Sequence, residues 1–203
     1  MGLSVERSTE PTTAAVFLIN NQNVQDKRIR QAMSYAIDKE LLIEQTLQGQ
    51  GVASTTCIIP GSPYEIDTKW ERDVDKAKEL LAEAGWDSSR VLKMVVTSAR
   101  ESMAAVIQQN LAEAGIQIEV QTVELATMFS GLQDGTYDLG ICGSTAMDYP
   151  LWMAGYYDNK KCYILSDYRS KSMQKFRMRL QQNWMRKKRM ELIHQYQELL
   201  YDE

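Results

Sequence analysis

The stretch from Val91 to Gly143 restricts the fold more than any other part of the chain, because its apolar pattern switches between strand and helix periods four times without a break. Val91-Leu92-Lys93-Met94-Val95-Val96-Thr97 is an apolar, β-branched run and predicts a strand. Ser98 stands where a helix N-cap would, and Ala104, Ala105, Ile107, Leu111 and Ala114 then recur at helical spacing until Gly115. Gln117 to Val123 alternates, with Ile118 and Val120 on one face, as a half-buried strand does. Leu125 to Leu132 predicts a short helix, Asp134-Gly135 a turn, and Tyr137 to Gly143 another apolar strand. Two βαβ units in tandem imply parallel strands with helices on both faces of the sheet. In such sheets ligands sit beyond the carboxyl ends of the strands. The lips of any site are therefore expected at Thr97 to Arg100 and at Gly143 to Tyr149.

The region before this unit is also α/β in character. Ala14 to Asn20 is a short apolar run that predicts a buried strand. From Asp26 the pattern turns helical, with Ile29, Ala32, Met33, Ala36 and Ile37 on one stripe. Asp38 is placed to cap a second helix, Lys39 to Gln48, which Gly49 and Gly51 stop. Residues 52–72 hold two of the four prolines, Pro60 and Pro63, and read as a long irregular loop. Asp73 opens a further helix with Ala77, Leu80, Leu81 and Ala84 on one face, ended by Gly85.

Several function classes lose support from what the chain lacks. A net charge of −4 gives no general attraction to nucleic acid. Residues 160–189 do concentrate 11 of the 23 Lys and Arg residues, a pattern read first as a solvated helix face. The tail from about Ser170 to Glu203 is predicted helical, with Phe176 and Leu180 on one stripe and Trp184, Leu192, Ile193, Tyr196, Leu199 and Leu200 on another. No phosphate-binding Gly-rich loop, dinucleotide fingerprint or nucleophile elbow is found, so neither an enzyme nor a cofactor is expected. The one histidine, His194, cannot build a zinc site alone, and Cys57, Cys142 and Cys162 lack metal-ligand spacing. Met1 to Pro11 is polar and has no signal-peptide core, which leads to the expectation of a cytosolic protein or of a piece of a longer chain.

Asp26-Lys27-Arg28-Ile29-Arg30-Gln31-Ala32-Met33-Ser34-Tyr35-Ala36-Ile37-Asp38-Lys39 resembles a signature of the family 5 extracellular solute-binding proteins, receptors for oligopeptides, dipeptides and nickel that serve ABC importers. The resemblance continues in order. Phe17-Leu18-Ile19-Asn20-Asn21 is similar to the strand before the signature, and Gly49-Gln50-Gly51 with Pro60-Gly61-Ser62-Pro63 to the loop after it. Asp75-Lys76-Ala77-Lys78-Glu79-Leu80-Leu81-Ala82-Glu83-Ala84-Gly85-Trp86 is a second block, followed by Ile107 to Leu111, Gly115-Ile116 and Gly135 to Leu139. Ala32 and Ala36 allow close helix packing, Asp38 caps and Gly85 stops, so these blocks carry a scaffold rather than a ligand.

The resemblance implies an α/β, parallel-rich sheet flanked by helices, forming one lobe of a two-lobed (class II) periplasmic-binding-protein fold. Residues 14–203 are expected to be that lobe, with residues 1–13 as linker or appended residues. The missing N-terminal lobe of the same protein and an ABC-transporter permease are the implied partners, with a peptide or small solute as ligand and no nucleic acid. The implied location of the full-length protein is extracytoplasmic, periplasmic or membrane-anchored. Peptide-binding relatives place a Gly-Trp-x-x-Asp-Tyr segment after the last βαβ strand, whose Asp takes the peptide's α-ammonium. Gly143-Ser144-Thr145-Ala146-Met147-Asp148-Tyr149-Pro150 matches it loosely, with Ser144 for the Trp and Asp148 one residue late. Asp148 is equally a candidate cap for a helix starting near Pro150. The ligand-binding set expected is Thr97, Ser98, Ser144, Thr145, Asp148 and Tyr149. A solute-sensing module of a regulatory protein and a binder of nickel or a metal chelate stand as alternatives.

Overall fold

The computed structural model describes residues 13–54, 62, 64–66, 71–145, 190–195 and 197–198, with residues 13, 14, 144 and 145 described by backbone alone. Four strands form one mixed sheet: β1 (Thr13–Ile19), β2 (Val91–Val96), β3 (Gln117–Thr122) and β4 (Leu139–Thr145), in the order β1-β4-β2-β3. Strands β2 and β3 pair in parallel, as do β2 and β4, and β1 closes one edge antiparallel to β4. The strand predicted at Ala14 to Asn20 is thus an edge strand. Periodicity shows which residues a strand buries and carries no information about its neighbours.

Each of the three helices before β2 starts at an aspartate that does what its side chain allows. Asp26 accepts from Arg28 N at the head of α1 (Lys27–Ala36), Asp38 from Leu41 N at α2 (Lys39–Leu47), and Asp73 from Lys76 N at α3 (Val74–Glu83). Helix α2 ends at Gln48, whose φ of 54° is a left-handed cap. Ala32, Ala36 and Ala77 are fully buried where α1 meets α3, so the two helices approach closely. The described residues of the 52–72 loop belong to no helix or strand.

Two further helices wrap the sheet from opposite sides. Helix α4 (Glu101–Glu113) joins β2 to β3, and α5 (Leu125–Gln133) joins β3 to β4. On one face Leu92, Met94, Val96, Ile118, Leu139 and Ile141 pack against α1, α3 and α4. On the other, Leu18, Val95 and Cys142 pack against Met128, Leu132 and Tyr137. The alternation along β2 and β4 sends neighbouring residues into different cores. Arg72 ties the corner where α1, α2 and α4 meet: its Nε donates to Ala36 O at 3.3 Å and it pairs with Glu113. Buried Asn110 of α4 accepts from Asp38 N at 2.9 Å.

Strand β4 begins at Leu139, two residues later than the apolar pattern predicts. Tyr137 and Asp138 are occupied otherwise. Tyr137 is buried, with its N–H on Gly131 O, and Asp138 donates from N to Lys93 O while its carboxylate accepts from Lys93 N at 2.8 Å. Asn23 adds a hydrogen bond to Asp138 Oδ1 at 2.9 Å, and Asn20 donates to Leu132 O and Tyr137 O. Together these bonds fasten the amino ends of β2 and β4 to the turn after β1.

Candidate functional site at the strand ends

Strands β2 and β4 lie side by side but end at different heights. The last registered pair is Val96 with Ile141, whereas β4 continues to Thr145. At about 3.3 Å per residue this overhang projects roughly 13 Å past β2. The chain leaving β2 fills the notch: Ser98–Arg100 form one 3-10 turn, with Arg100 N donating to Thr97 O at 2.9 Å, and α4 starts at Glu101. Val123 N donates to Val96 O and holds the end of β3 beside the same notch.

The turn lays Arg100 along the flank of β4. A methyl group built on Gly143 would stand 2.7 Å from Arg100 Nη2 and 3.7 Å from its Cζ, so the guanidinium rests on bare backbone. Arg100 Nη1 donates to Met103 Sδ at 3.5 Å. A thioether is a weak acceptor, and a guanidinium has five N–H donors to place. Among the described residues no carboxylate pairs with Arg100. It also stands at the amino end of α4, where no side chain caps the helix and the first N–H groups favour negative charge. A partly buried cation, donors that no described carboxylate takes up and a helix amino end therefore converge at the strand ends. Chemically, such an arrangement receives an anion such as a carboxylate.

Thr97 is half-buried and Ser98 exposed, and both line this notch. Ser98 does not cap α4. The helix starts two residues later than predicted, because the chain first makes the 3-10 turn that seats Arg100. Ser144 and Thr145 lie inside β4, registered with Ala14 and Thr13, rather than in a loop beyond it. They belong to the overhang and share the edge with Thr97 and Ser98. Asp148, Tyr149 and the helix expected near Pro150 lie outside the described residues, as do Cys57, Cys162, the basic segment 160–189 and the apolar residues Phe176, Leu180, Trp184, Tyr196, Leu199 and Leu200. In the tail, residues 190–195 and 197–198 are helical, with Leu192 and Ile193 buried.

Arg100 is the residue that sequence reasoning placed on the lip without giving it a task. A signal was available: an arginine immediately before a helix opposes the helix dipole, and a residue that breaks a local rule marks a site more often than an error. The remaining features carry less chemistry. Among the described residues no group of three or more His, Cys, Asp or Glu is disposed to hold a metal. A shallow hollow bounded by Thr127, Ser130, Asp134 and Thr136 sits at the amino end of β4, away from the notch.

The sequence profile of the bacterial extracellular solute-binding proteins, family 5, middle region, matches residues 2–163. The oligopeptide-binding protein AppA of Bacillus subtilis is 31% identical over 140 residues, covering 58% of this chain and 25% of AppA. The dipeptide-binding protein of Escherichia coli is 28% identical over 136 residues, covering 63% of this chain and 25% of that protein. In three dimensions the chain is similar to the ABC transporter substrate-binding protein CtaP of Listeria monocytogenes, with a TM-score of 0.84 at 22% identity, over 95% of this chain and 42% of CtaP. The chain thus spans about a quarter of the length of the curated relatives it matches.

Proposed function

Because the chain belongs to the bacterial extracellular solute-binding proteins of family 5, and has the fold of one lobe of their two-lobed structures, we propose that the whole protein captures a peptide or similar small solute for an ABC importer. The observation that carries this reading is Arg100, a guanidinium held at the carboxyl ends of parallel strands with a sulfur as its described side-chain partner. In this role Arg100 takes the carboxylate of the solute, while Thr97 and Ser98 offer hydroxyls, and Ser144 and Thr145 backbone, along the same edge. Asp148 takes a cationic head group and Tyr149 flanks it. A second lobe supplies the opposite wall, an ABC-transporter permease receives the loaded protein, and the protein works outside the cytoplasm. Capture without chemical change suits a site that is rich in hydrogen-bond donors, and the protein is not an enzyme in this reading.

The test is mass spectrometry of whatever co-purifies with the family-length protein, followed by calorimetry with trialanine and trialanine amide. Arg100→Gln is expected to weaken binding of the free acid by at least tenfold, since a charge-assisted bond contributes about 1.5–3 kcal/mol, and to leave the amide nearly untouched. Equal affinity for both peptides in the unsubstituted protein, or an unchanged free-acid affinity in Arg100→Gln, would overturn the reading.

A further inference from the structure

We infer that Gly143 and Met103 are positioning residues that seat the Arg100 guanidinium over the strand ends, an inference that rests on the reading of Arg100 given above. Gly143 is not a glycine for backbone reasons. The positive-φ glycines among the described residues are Gly49, Gly85, Gly115 and Gly135, and β4 pairs regularly with β1 through position 143. Glycine inside a strand weakens it, so the close approach of another group is the reason left. That group is Arg100, whose Nη2 would be 2.7 Å from any Cβ at this position.

The alternation of β4 makes the seat specific. Leu139 and Ile141 face the core shared with α4, and position 143 continues their row. A side chain there would extend the row outward over the notch. Its absence leaves a slot one atom deep along β4, and the planar guanidinium fills it. Met103 fixes the other side. It lies one turn beyond Arg100 on α4, is itself buried, and presents Sδ to Nη1 at 3.5 Å. A carboxylate at this place would hold the arginine more firmly and would also neutralise it. A thioether orients the cation and leaves its charge for the solute. Orientation of this kind, fixed before the solute arrives, is what raises affinity at a polar contact.

Two experiments test the seat. In the first, the 15N-edited spectrum of arginine Nε–Hε groups is recorded for this chain without ligand. Arg100 should give a slowly exchanging signal with restricted rotation about Nε–Cζ. Gly143→Ala should move and narrow it to the exposed-arginine position, and Met103→Leu, close in volume, should do so in part. An Arg100 signal already at the exposed position in the unsubstituted chain, or unmoved by both substitutions, overturns the inference whatever the solute is. In the second, the ratio of trialanine to trialanine-amide affinity is measured in the family-length protein. Gly143→Ala should lower that ratio about tenfold, Met103→Leu about threefold, and Gly143→Ala should change nothing further when combined with Arg100→Gln. A ratio lowered by Arg100→Gln but unchanged by both Gly143→Ala and Met103→Leu, or additive losses in the double variant, removes the seat and keeps the carboxylate reading. A ratio unaffected by Arg100→Gln removes the carboxylate reading, and the spectra then judge the seat alone.

Discussion

Replacing Gly131 by alanine sets two effects of opposite sign against each other, and the structure decides between them. Gly131 lies inside α5, where alanine is favoured over glycine by about 0.5–1 kcal/mol. A Cβ at this position would stand 2.4 Å from Cε2 and 2.6 Å from Cδ2 of Tyr137. Ordinary contact requires about 3.5–4.0 Å, so the ring would have to retreat by more than an ångström. It has nowhere to go: Tyr137 is 7% exposed, packs with Leu18, Val95, Met128 and Leu132, and is tied by its own N–H to Gly131 O at 3.1 Å. Overpacking of this kind costs about 1–3 kcal/mol and outweighs the helix preference. Gly131→Ala is expected to destabilise the chain by about 1–2 kcal/mol. With a urea slope of about 2 kcal/mol/M, the unfolding midpoint falls by about 0.5–1 M.

The same reasoning predicts a change of sign. In a Tyr137→Leu background, itself less stable, the ring edge is gone and only the helix preference remains. Gly131→Ala should there raise stability by about 0.5–1 kcal/mol, a coupling of about 1.5–3 kcal/mol between the two positions. Urea unfolding of the four proteins, followed by circular dichroism, closes the cycle. A raised midpoint for Gly131→Ala alone, or a lowered one in the Tyr137→Leu background, would refute the claim that the ring dictates glycine.

Asp138→Ala removes the acceptor of Lys93 N and of Asn23 Nδ2 from a side chain that is 13% exposed, and should cost about 2–4 kcal/mol in urea unfolding; Asp138→Asn keeps one acceptor and should cost about half as much. The Arg28 side chain and then its backbone N–H hold Asp26 down at about 2, from 3.8. A depressed acid stabilises the folded state above its unfolded value and loses that contribution as pH falls through the folded one. The melting-temperature gap between the unsubstituted chain and Asp26→Ala should therefore hold above about pH 4 and narrow from there to about pH 2; the gap is small, because the pair is solvent-exposed, and a gap that widens in acid contradicts the assignment. Gln48→Gly relieves a left-handed φ of 54° and should stabilise by a few tenths to about 1 kcal/mol in the same assay, an unchanged midpoint counting against a strained cap.

Local chemistry made much of this fold legible. Asp26, Asp38 and Asp73 cap the helices they precede because a short carboxylate reaches its own second or third N–H regardless of what surrounds it. The strand at Val91 follows from an apolar, β-branched run suited to burial on both faces, and the strand at Gln117 from alternation with Ile118 and Val120 on one face. What failed to be legible depends on partners distant in sequence. Tyr137 is as apolar as the strand it precedes, and only its commitment to Gly131, six residues back across a turn, removes it from β4. Ser98 is a good cap by type, but the guanidinium two residues on settles into a slot on β4, and the helix starts after it. Leu41, Leu42 and Ile43 predict a helix correctly, yet none is fully buried, since periodicity shows a stripe without showing what covers it. The antiparallel edge position of β1 belongs to the same class.

Among the described residues the two ends of the sheet differ in how completely their polar groups are used, and under the proposed function that difference separates scaffold from site. At the amino ends of β2 and β4, Asn20 donates to two carbonyls and accepts from Gln22 N, Asn23 donates to a carbonyl and a carboxylate, and Asp138 serves Lys93 N with its second oxygen. Every such bond made inside the lobe is one that a solute cannot use, and a network satisfied in this way is rigid. At the carboxyl ends, α4 begins uncapped and Arg100 spends a donor on sulfur. Left dry and unpaired, that end would be costly, so it must face water or an anionic group. In the proposed role, exchange of water for a solute carboxylate leaves the hydrogen-bond count unchanged and adds the attraction of fixed charges in a drier place. Rigidity at the far end keeps the two strands in register while this happens, so the cost of holding Arg100 in position is met during folding rather than during capture. Asp138 and Arg100 therefore predict opposite phenotypes: substitution of the first lowers stability and substitution of the second lowers affinity. A lobe in which both lowered both would have no such division.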